Sequence, residues 1–362
     1  MKMFSIVFTV FAAAVVLAAT PAESADCTVT SYDDIADAVA SCTTLTISDI
    51  TVPAETTLQL DLQTGTQLTL AGTWQWEYAK WKGPLFIITG SRVTVKGDNV
   101  VLDGQGALWW DGKGTSGVKK PKFFRIKTTG GSTFSDITLL NCPVQCVSIN
   151  SASDTTIDNF LLDVSAGDSE KGHNTDGFDV SSSTGITVQN SVVKNQDDCV
   201  AVNQGSNMVF KNLTCSGGHG LSLSVGQSTE DGSANTVSNV TFIDSTVTNS
   251  ANGIHVKTHS DAGTGSITDV TYQNIKLSGL TKYGINVQED YENGKSSGTP
   301  KGNIPITNLN MIDVTGTMSG SGMPVYILCG DDGCSSWSWS GVSITDGKKS
   351  NSCNFTPTGF AC

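Results

Sequence analysis

Only four histidines occur in the 362 residues, and no Cys-x-x-Cys pair, which leaves little from which to build a zinc site. No metal or other cofactor is expected. Basic residues are scarce as well: 21 Lys and Arg against 34 Asp and Glu, a net charge of −13. So acidic a chain is a poor partner for nucleic acid. It would suit a polyanion only if its cations were gathered at one place. Beyond the first 25 residues no apolar run approaches the about 18 residues of a membrane-spanning helix. Helical periodicity is nearly missing too. Nine prolines against 38 glycines suit a chain with many tight corners and few interruptions of its strand ladders.

What is there begins with a secretory leader. Lys2 supplies the charge, Phe4 to Ala19 the apolar core, and small residues up to Ala25 the cleavage region, with the cut between Ala18 and Ala25. The expectation is a secreted, extracellular, soluble chain whose residues 26–362 form a single domain, with a monomer as the default state. Ten cysteines fit an oxidising compartment. Cys27 and Cys42, Cys199 and Cys215, Cys329 and Cys334, and Cys353 and Cys362 are sequential neighbours, so four local loops are the simplest pairing. Cys142 and Cys146 remain and could close a tight corner, although sequence alone does not fix connectivity. Asn212, Asn239 and Asn354 each begin an Asn-x-Thr sequon, a possible glycosylation site.

One helix is expected, over Ser31 to Ala40. Ser31 suits the N-cap, Asp33 and Asp34 the positive helix end, and Ile35, Ala38 and Val39 an apolar stripe. Such a helix would cover the open end of a sheet, where a bare edge invites aggregation. From about residue 44, short runs of the form Val/Ile-Thr-x-x-Asn/Asp recur, as in Ile186-Thr-Val-Gln-Asn190 and Val270-Thr-Tyr-Gln-Asn274. Each reads as a strand ending in a residue that tolerates a left-handed turn. Trp74-Gln-Trp-Glu-Tyr-Ala-Lys-Trp81 could stack on sugars, but such a run more often packs in a core. A second run gathers Lys113, Lys119, Lys120, Lys122, Arg125 and Lys127. It is either a solvated loop or the concentration of cations that a polyanionic substrate would need.

Aligned on one corner, the chain reads Asp176-Gly-Phe-Asp-Val, Asp198-Cys-Val-Ala-Val, His219-Gly-Leu-Ser-Leu, Asn252-Gly-Ile-His-Val and Tyr283-Gly-Ile-Asn-Val. Successive corners lie 22, 21, 33 and 31 residues apart, a spacing that marks a solenoid. With one coil per repeat, equivalent residues stack about 4.8 Å apart. Asp176, Asp198 and His219 then share a row, with Asp197 beside them. The expected fold is all-β, a right-handed parallel β-helix with a short N-terminal capping helix. A cluster of carboxyls and an imidazole suits hydrolysis of a glycosidic bond, in which one carboxyl donates a proton and others activate water.

The set Asn174-Thr-Asp-Gly-Phe-Asp179, Gln196-Asp-Asp-Cys199, Gly218-His-Gly220 and Glu289-Asp-Tyr291 resembles glycoside hydrolase family 28, the polygalacturonases. The resemblance implies a parallel β-helix that hydrolyses α-1,4 bonds of polygalacturonan (pectin) with inversion and without a metal. It implies Asp197 as general acid, Asp176 and Asp198 as the pair activating water, and His219 as tuner of the acid. Asn174, His255, Lys257 and Tyr291 would bind substrate. Besides pectin it implies a polygalacturonase-inhibiting protein as a partner. Inversion calls for a wide gap between acid and base, about 6.5–9.5 Å.

The chain departs from that family at His255-Val256-Lys257, where Arg-Ile-Lys is usual. Imidazole cannot form the two-pronged grip that guanidinium makes on a carboxylate. A protonated His255 would be a partial substitute, so activity is expected to lean toward acid pH. Three readings follow: an endo-acting polygalacturonase, a hydrolase of an altered pectic backbone, and an inactive homologue that binds pectin fragments or an inhibitor. The intact acids favour the first.

Overall fold

The computed structural model describes Met1, residues 26–292 and residues 294–362. The expected secretory leader otherwise lies outside the described residues. Strands follow one another in short runs, and nearly all pair in parallel. One sheet stacks eleven of them in chain order, from Leu58–Asp61 to Ser352–Cys353. A second, nineteen-stranded sheet wraps the rest of each coil. The fold is therefore a right-handed parallel β-helix, as the repeat requires.

Its interior is built from side chains stacked in rows. Phe210, Phe242 and Tyr272 lie directly above one another, with ring centroids 4.8 and 4.6 Å apart, the strand-to-strand distance. Each fully buried aromatic or aliphatic group contributes about 1.5–3 kcal/mol, and every coil repeats the contribution. The corners stack as well. Asn190 and Asn274 sit in the left-handed region at φ 53° and 51°. Asn190 Nδ2 donates to Asp158 Oδ1 at 2.7 Å on the preceding coil, and Asn274 Nδ2 to Asp244 Oδ1 at 2.7 Å. The strand-end asparagines of the sequence pattern are therefore turn formers that also tie coil to coil.

The capping helix begins later than expected. Tyr32–Asp34 is a 3-10 turn, and the α-helix runs Ile35–Ser41. Ser31 makes no side-chain cap; its carbonyl instead accepts the Asp34 N–H at 3.3 Å, so the first turn tightens to 3-10. The helix packs against the strands Asp26–Val29, Thr44–Ser48 and Leu58–Asp61 at the first coil. Five disulfides join Cys27–Cys42, Cys142–Cys146, Cys199–Cys215, Cys329–Cys334 and Cys353–Cys362. Trp74 and Trp76 are buried in the core, and the Trp76 indole N–H donates to the Leu85 carbonyl, so this pair is packing rather than a sugar platform. Among the described residues no helix is long and apolar enough to cross a membrane.

The sequon asparagines all lie on the surface with their amides engaged. Asn212 donates to Asn190 and Asn239 to Asn207, each at 2.8 Å, while Asn354 donates to the Cys329 carbonyl at 2.7 Å.

Candidate active site

The strands Phe178–Ser181, Asp198–Val202, Gly220–Val225, Asn252–His259 and Tyr283–Glu292 are neighbours in the eleven-strand stack. Between apolar residues buried in the core, alternate side chains turn outward into a cleft of about 920 Å³. The row Asp179, Ala201, Ser222, His255 and Asn286 is in register as the alignment required. So is the row Ser224, Lys257 and Gln288.

At the corner the register slips. Asp198 pairs with Gly220, whereas Val200 pairs with Leu221, so the strand bulges at Cys199. His219 consequently lies beside Asp197 and not over Asp198, a correction to the row expected from the alignment. The Gly218-His-Gly220 spacing has a steric cause. A Cβ on Gly218 would sit 2.0 Å from the Asp197 carbonyl oxygen, and one on Gly220 2.3 Å from that of Gly253. Gly220 also holds φ +88°, which only glycine adopts without strain.

Each carboxyl has its own surroundings. Asp197 Oδ1 lies 2.9 Å from His219 Nδ1 and accepts the Asp198 N–H at 2.8 Å; its Oδ2 accepts Asn174 Nδ2 at 3.0 Å. Asp198 accepts the Ser222 hydroxyl at 2.5 Å and Lys257 Nζ at 2.9 Å, one on each oxygen. Asp176 Oδ1 is buried and meets no protein donor. Asp179 lies 3.8 Å from Lys122. Beneath them Asn195, which the sequence reading did not single out, donates to the carbonyls of Thr175, Asp197 and Asp198 at 2.9, 3.0 and 2.9 Å. It fixes three backbone groups at once, and only its buried position reveals this.

Charge separates the four acids. Burial, then the charges of Asp197, Asp179 and Asp198, pushes Asp176 well above the usual carboxylate range. Burial raises Asp179 to about 6 against the pull of Lys122. Burial would raise Asp197 too, but the hydrogen bond and charge of His219 outweigh it and bring it to about 2. His219 moves the opposite way: burial disfavours its charge, yet Asp197 holds it above its ordinary value. The pair therefore carries one proton between them. Lys257 remains charged although buried, because Asp198 faces it.

The other expected residues are brought together here with different duties. Asn174 binds Asp197, so its amide is already committed. Lys257 lies between Asp198 and the Tyr291 ring, 5.0 Å from its centroid. His255 is buried near the edge of the same ring, with centroids 6.3 Å apart. Burial and the charge of Lys257 push it well below its ordinary pKa. The charged imidazole is thereby disfavoured, which works against the cationic substitute expected of it. The basic run divides. Lys120 is buried against Asp111 at 2.7 Å, Lys119 and Lys127 are exposed, and Lys113, Lys122 and Arg125 line the cleft. Lys282 and Lys295 line it as well, and Tyr283 stacks on Tyr326 at 5.3 Å.

Ligand atoms of Asp197, Asp198 and His219 lie within 4.8 Å of one another. These atoms are committed to Ser222, Lys257 and each other, which leaves them poorly disposed to hold a cation. One oxygen of Asp197 and one of Asp198 therefore lie within 4.8 Å of each other, so at their nearest atoms these two acids are closer than the gap of about 6.5–9.5 Å foreseen between acid and base. They are adjacent in sequence, and the bulge at Cys199 turns both toward the cleft.

The model of glycosyl hydrolases family 28 matches residues 42–362. The chain belongs to this family. It is a glycoside hydrolase, and its relatives agree. It is 49% identical to a polygalacturonase of Phaedon cochleariae, with 96% of each chain covered. It is 49% identical to endopolygalacturonase A of Aspergillus niger, over 93% of this chain and 90% of that one. Endopolygalacturonase I of Stereum purpureum, solved with two galacturonates, superposes with a TM-score of 0.80 at 38% identity, covering 90% of this chain and 96% of that one.

Proposed function

We propose that this family 28 enzyme is a secreted, endo-acting polygalacturonase that hydrolyses α-1,4-galacturonosidic bonds of pectin. The observation that carries the mechanism is the pairing of the acids. His219 attends Asp197 alone, while Lys257 and Ser222 attend Asp198 alone. The His219–Asp197 pair holds a proton and delivers it through Asp197 to the glycosidic oxygen as the bond breaks. Asp198 and Asp176 orient a water and take its proton as it attacks the anomeric carbon. With both oxygens of Asp198 already engaged, it is a poor covalent nucleophile, which favours single displacement with inversion despite its short approach to Asp197. Lys113, Lys122 and Arg125 at one end of the cleft and Lys282 and Lys295 toward the other supply cations for substrate carboxylates in an otherwise acidic protein. The chain acts as an exported monomer, with a polygalacturonase-inhibiting protein as a partner at this cleft.

Proton NMR of the first-formed product tests the stereochemistry. The β-anomer must appear before mutarotation; initial α-anomer would mean retention and a covalent intermediate.

One observation favours a second reading. His255 puts in the middle of the cleft a buried imidazole, whose charge burial and Lys257 disfavour, in place of the usual guanidinium, and this suits a backbone with esterified or substituted residues at that subsite. Comparing rates on smooth and on methyl-esterified polygalacturonan separates the two.

A further inference from the structure

The segment Asp111–Lys120 forms a closed knot on the rim of the cleft. Lys120 Nζ, almost wholly buried, donates to Asp111 Oδ1 at 2.7 Å, to the Gly114 carbonyl at 2.9 Å and to the Val118 carbonyl at 3.3 Å. Asp111 in turn accepts the N–H groups of Lys113 at 3.0 Å and Val118 at 2.8 Å. All three ammonium protons are used, so the knot is rigid. It aims Thr115 outward: its N–H donates to Asn174 Oδ1 at 3.1 Å and its hydroxyl to the same oxygen at 3.4 Å.

That contact decides which way Asn174 faces. A primary amide is nearly symmetric in shape, but its oxygen only accepts and its nitrogen only donates. A backbone N–H on the loop side holds the oxygen there, and so turns the NH₂ toward Asp197 Oδ2 at 3.0 Å. Gly114, at φ +51°, lies against the same amide; a Cβ there would come 1.9 Å from Asn174 Oδ1.

We propose that the Asp111–Lys120 loop is a positioning element for Asp197, acting through Asn174, with Lys120 and Asp111 as the positioning residues. It keeps a donor on Asp197 Oδ2, so that the proton of the His219–Asp197 pair stays on the His219 side until the leaving oxygen calls for it. Lys113, Thr115 and Ser116 of this loop also line the cleft, so substrate seated there presses on the element that sets the acid. The catalytic consequence rests on Asp197 being the acid; the effect on the pair does not.

The test uses Lys120→Met, which unties the knot, and Gly114→Ala, which leaves Lys120 in place and pushes the Asn174 amide aside. His219 is titrated by NMR in each folded variant, its signal assigned by its loss in His219→Gln. Besides Asp197, the charged or titratable groups acting on the pair are Asp176, Asp179, Asp198, Lys257, His255 and Tyr291, none of them altered. Without the Asn174 donor the carboxylate binds the imidazolium more tightly. The His219 midpoint should rise by about half to one pH unit, and kcat should fall about tenfold with its alkaline limb moved the same way. A lower melting temperature with the His219 midpoint unmoved would reduce the loop to scaffolding and overturn the proposal. If Lys120→Met does not fold, Gly114→Ala carries the test alone. Should Asp197→Asn retain activity, the reading of the acid fails, while the His219 titration still judges the loop.

Discussion

His219 Nδ1 lies 2.9 Å from Asp197 Oδ1 because the strand ladder gains one residue at Cys199 and the imidazole drops from the level of Asp198 to that of its neighbour. A single bulge thus decides which of two adjacent aspartates owns the histidine, and with it which one handles the proton.

The first consequence is kinetic. His219→Asn should leave the fold intact and lower kcat by about 10²–10³, in the range of general acid catalysis. Since Asp197 holds the His219 proton above its ordinary pKa, the wild-type profile should keep its alkaline limb above that of free histidine. A full pH–rate series on both proteins measures this. An unchanged limb in the variant would assign it elsewhere.

Among the described residues Lys257 is the only cation within bonding distance of Asp198. Lys257→Met leaves a buried carboxylate without its partner, a change that commonly costs about 3–5 kcal/mol. Urea unfolding should record a loss of that size, with activity nearly abolished. A loss under 1 kcal/mol would mean the pair is not desolvated as the structure indicates.

Burial and the charge of Lys257 disfavour the charged form of His255, so His255→Asn should not move either limb of the pH profile. Placing a permanent cation there, His255→Arg, should lower KM for polygalacturonate by up to about tenfold with the limbs unmoved. A shift of the acid limb in His255→Asn would restore the charged imidazole that burial disfavours.

Glu289 makes a stability prediction. It is fully buried, one oxygen accepts the Gly330 N–H at 2.6 Å, and the other meets no protein donor. Burial raises it to about 7 from 4.5, against the pull of that N–H. A carboxyl whose folded-state pKa is raised holds more protons folded than unfolded, so stability falls as pH rises from about 4.5 through 7. Glu289→Gln removes this dependence. Its stability should match wild type near pH 4 and exceed it by about 1–3 kcal/mol at pH 8. An equal difference at both pH values would contradict the assignment.

Much of this was legible beforehand, and for one reason: a solenoid converts sequence spacing into vertical distance. Phe178, Val200, Leu221, Ile254 and Ile285 occupy one position of the repeat and stack in register, so the rows of Asp179 and Lys257 followed. The same logic failed at the corner, because a bulge costs one residue and leaves no mark in composition. Asn195 escaped notice since its neighbours Asp197 and Asp198 carry the motif, while its role is to bind carbonyls. The lowered pKa of His255 depends on burial and on Lys257 beside it, which no linear reading can weigh. The basic run illustrates the limit: Lys120 and Lys122 look alike in sequence, yet one ties a loop and the other faces Asp179.

The central claim is that Asp197, paired with His219, delivers the proton that breaks a galacturonosidic bond. Reducing-end release from polygalacturonic acid across pH, by the native chain and by folded Asp197→Asn, tests it most directly. The account predicts rapid release of mixed oligomers by the native chain and at least a hundredfold less by the variant, in line with loss of a general acid. Comparable release by both proteins would contradict it.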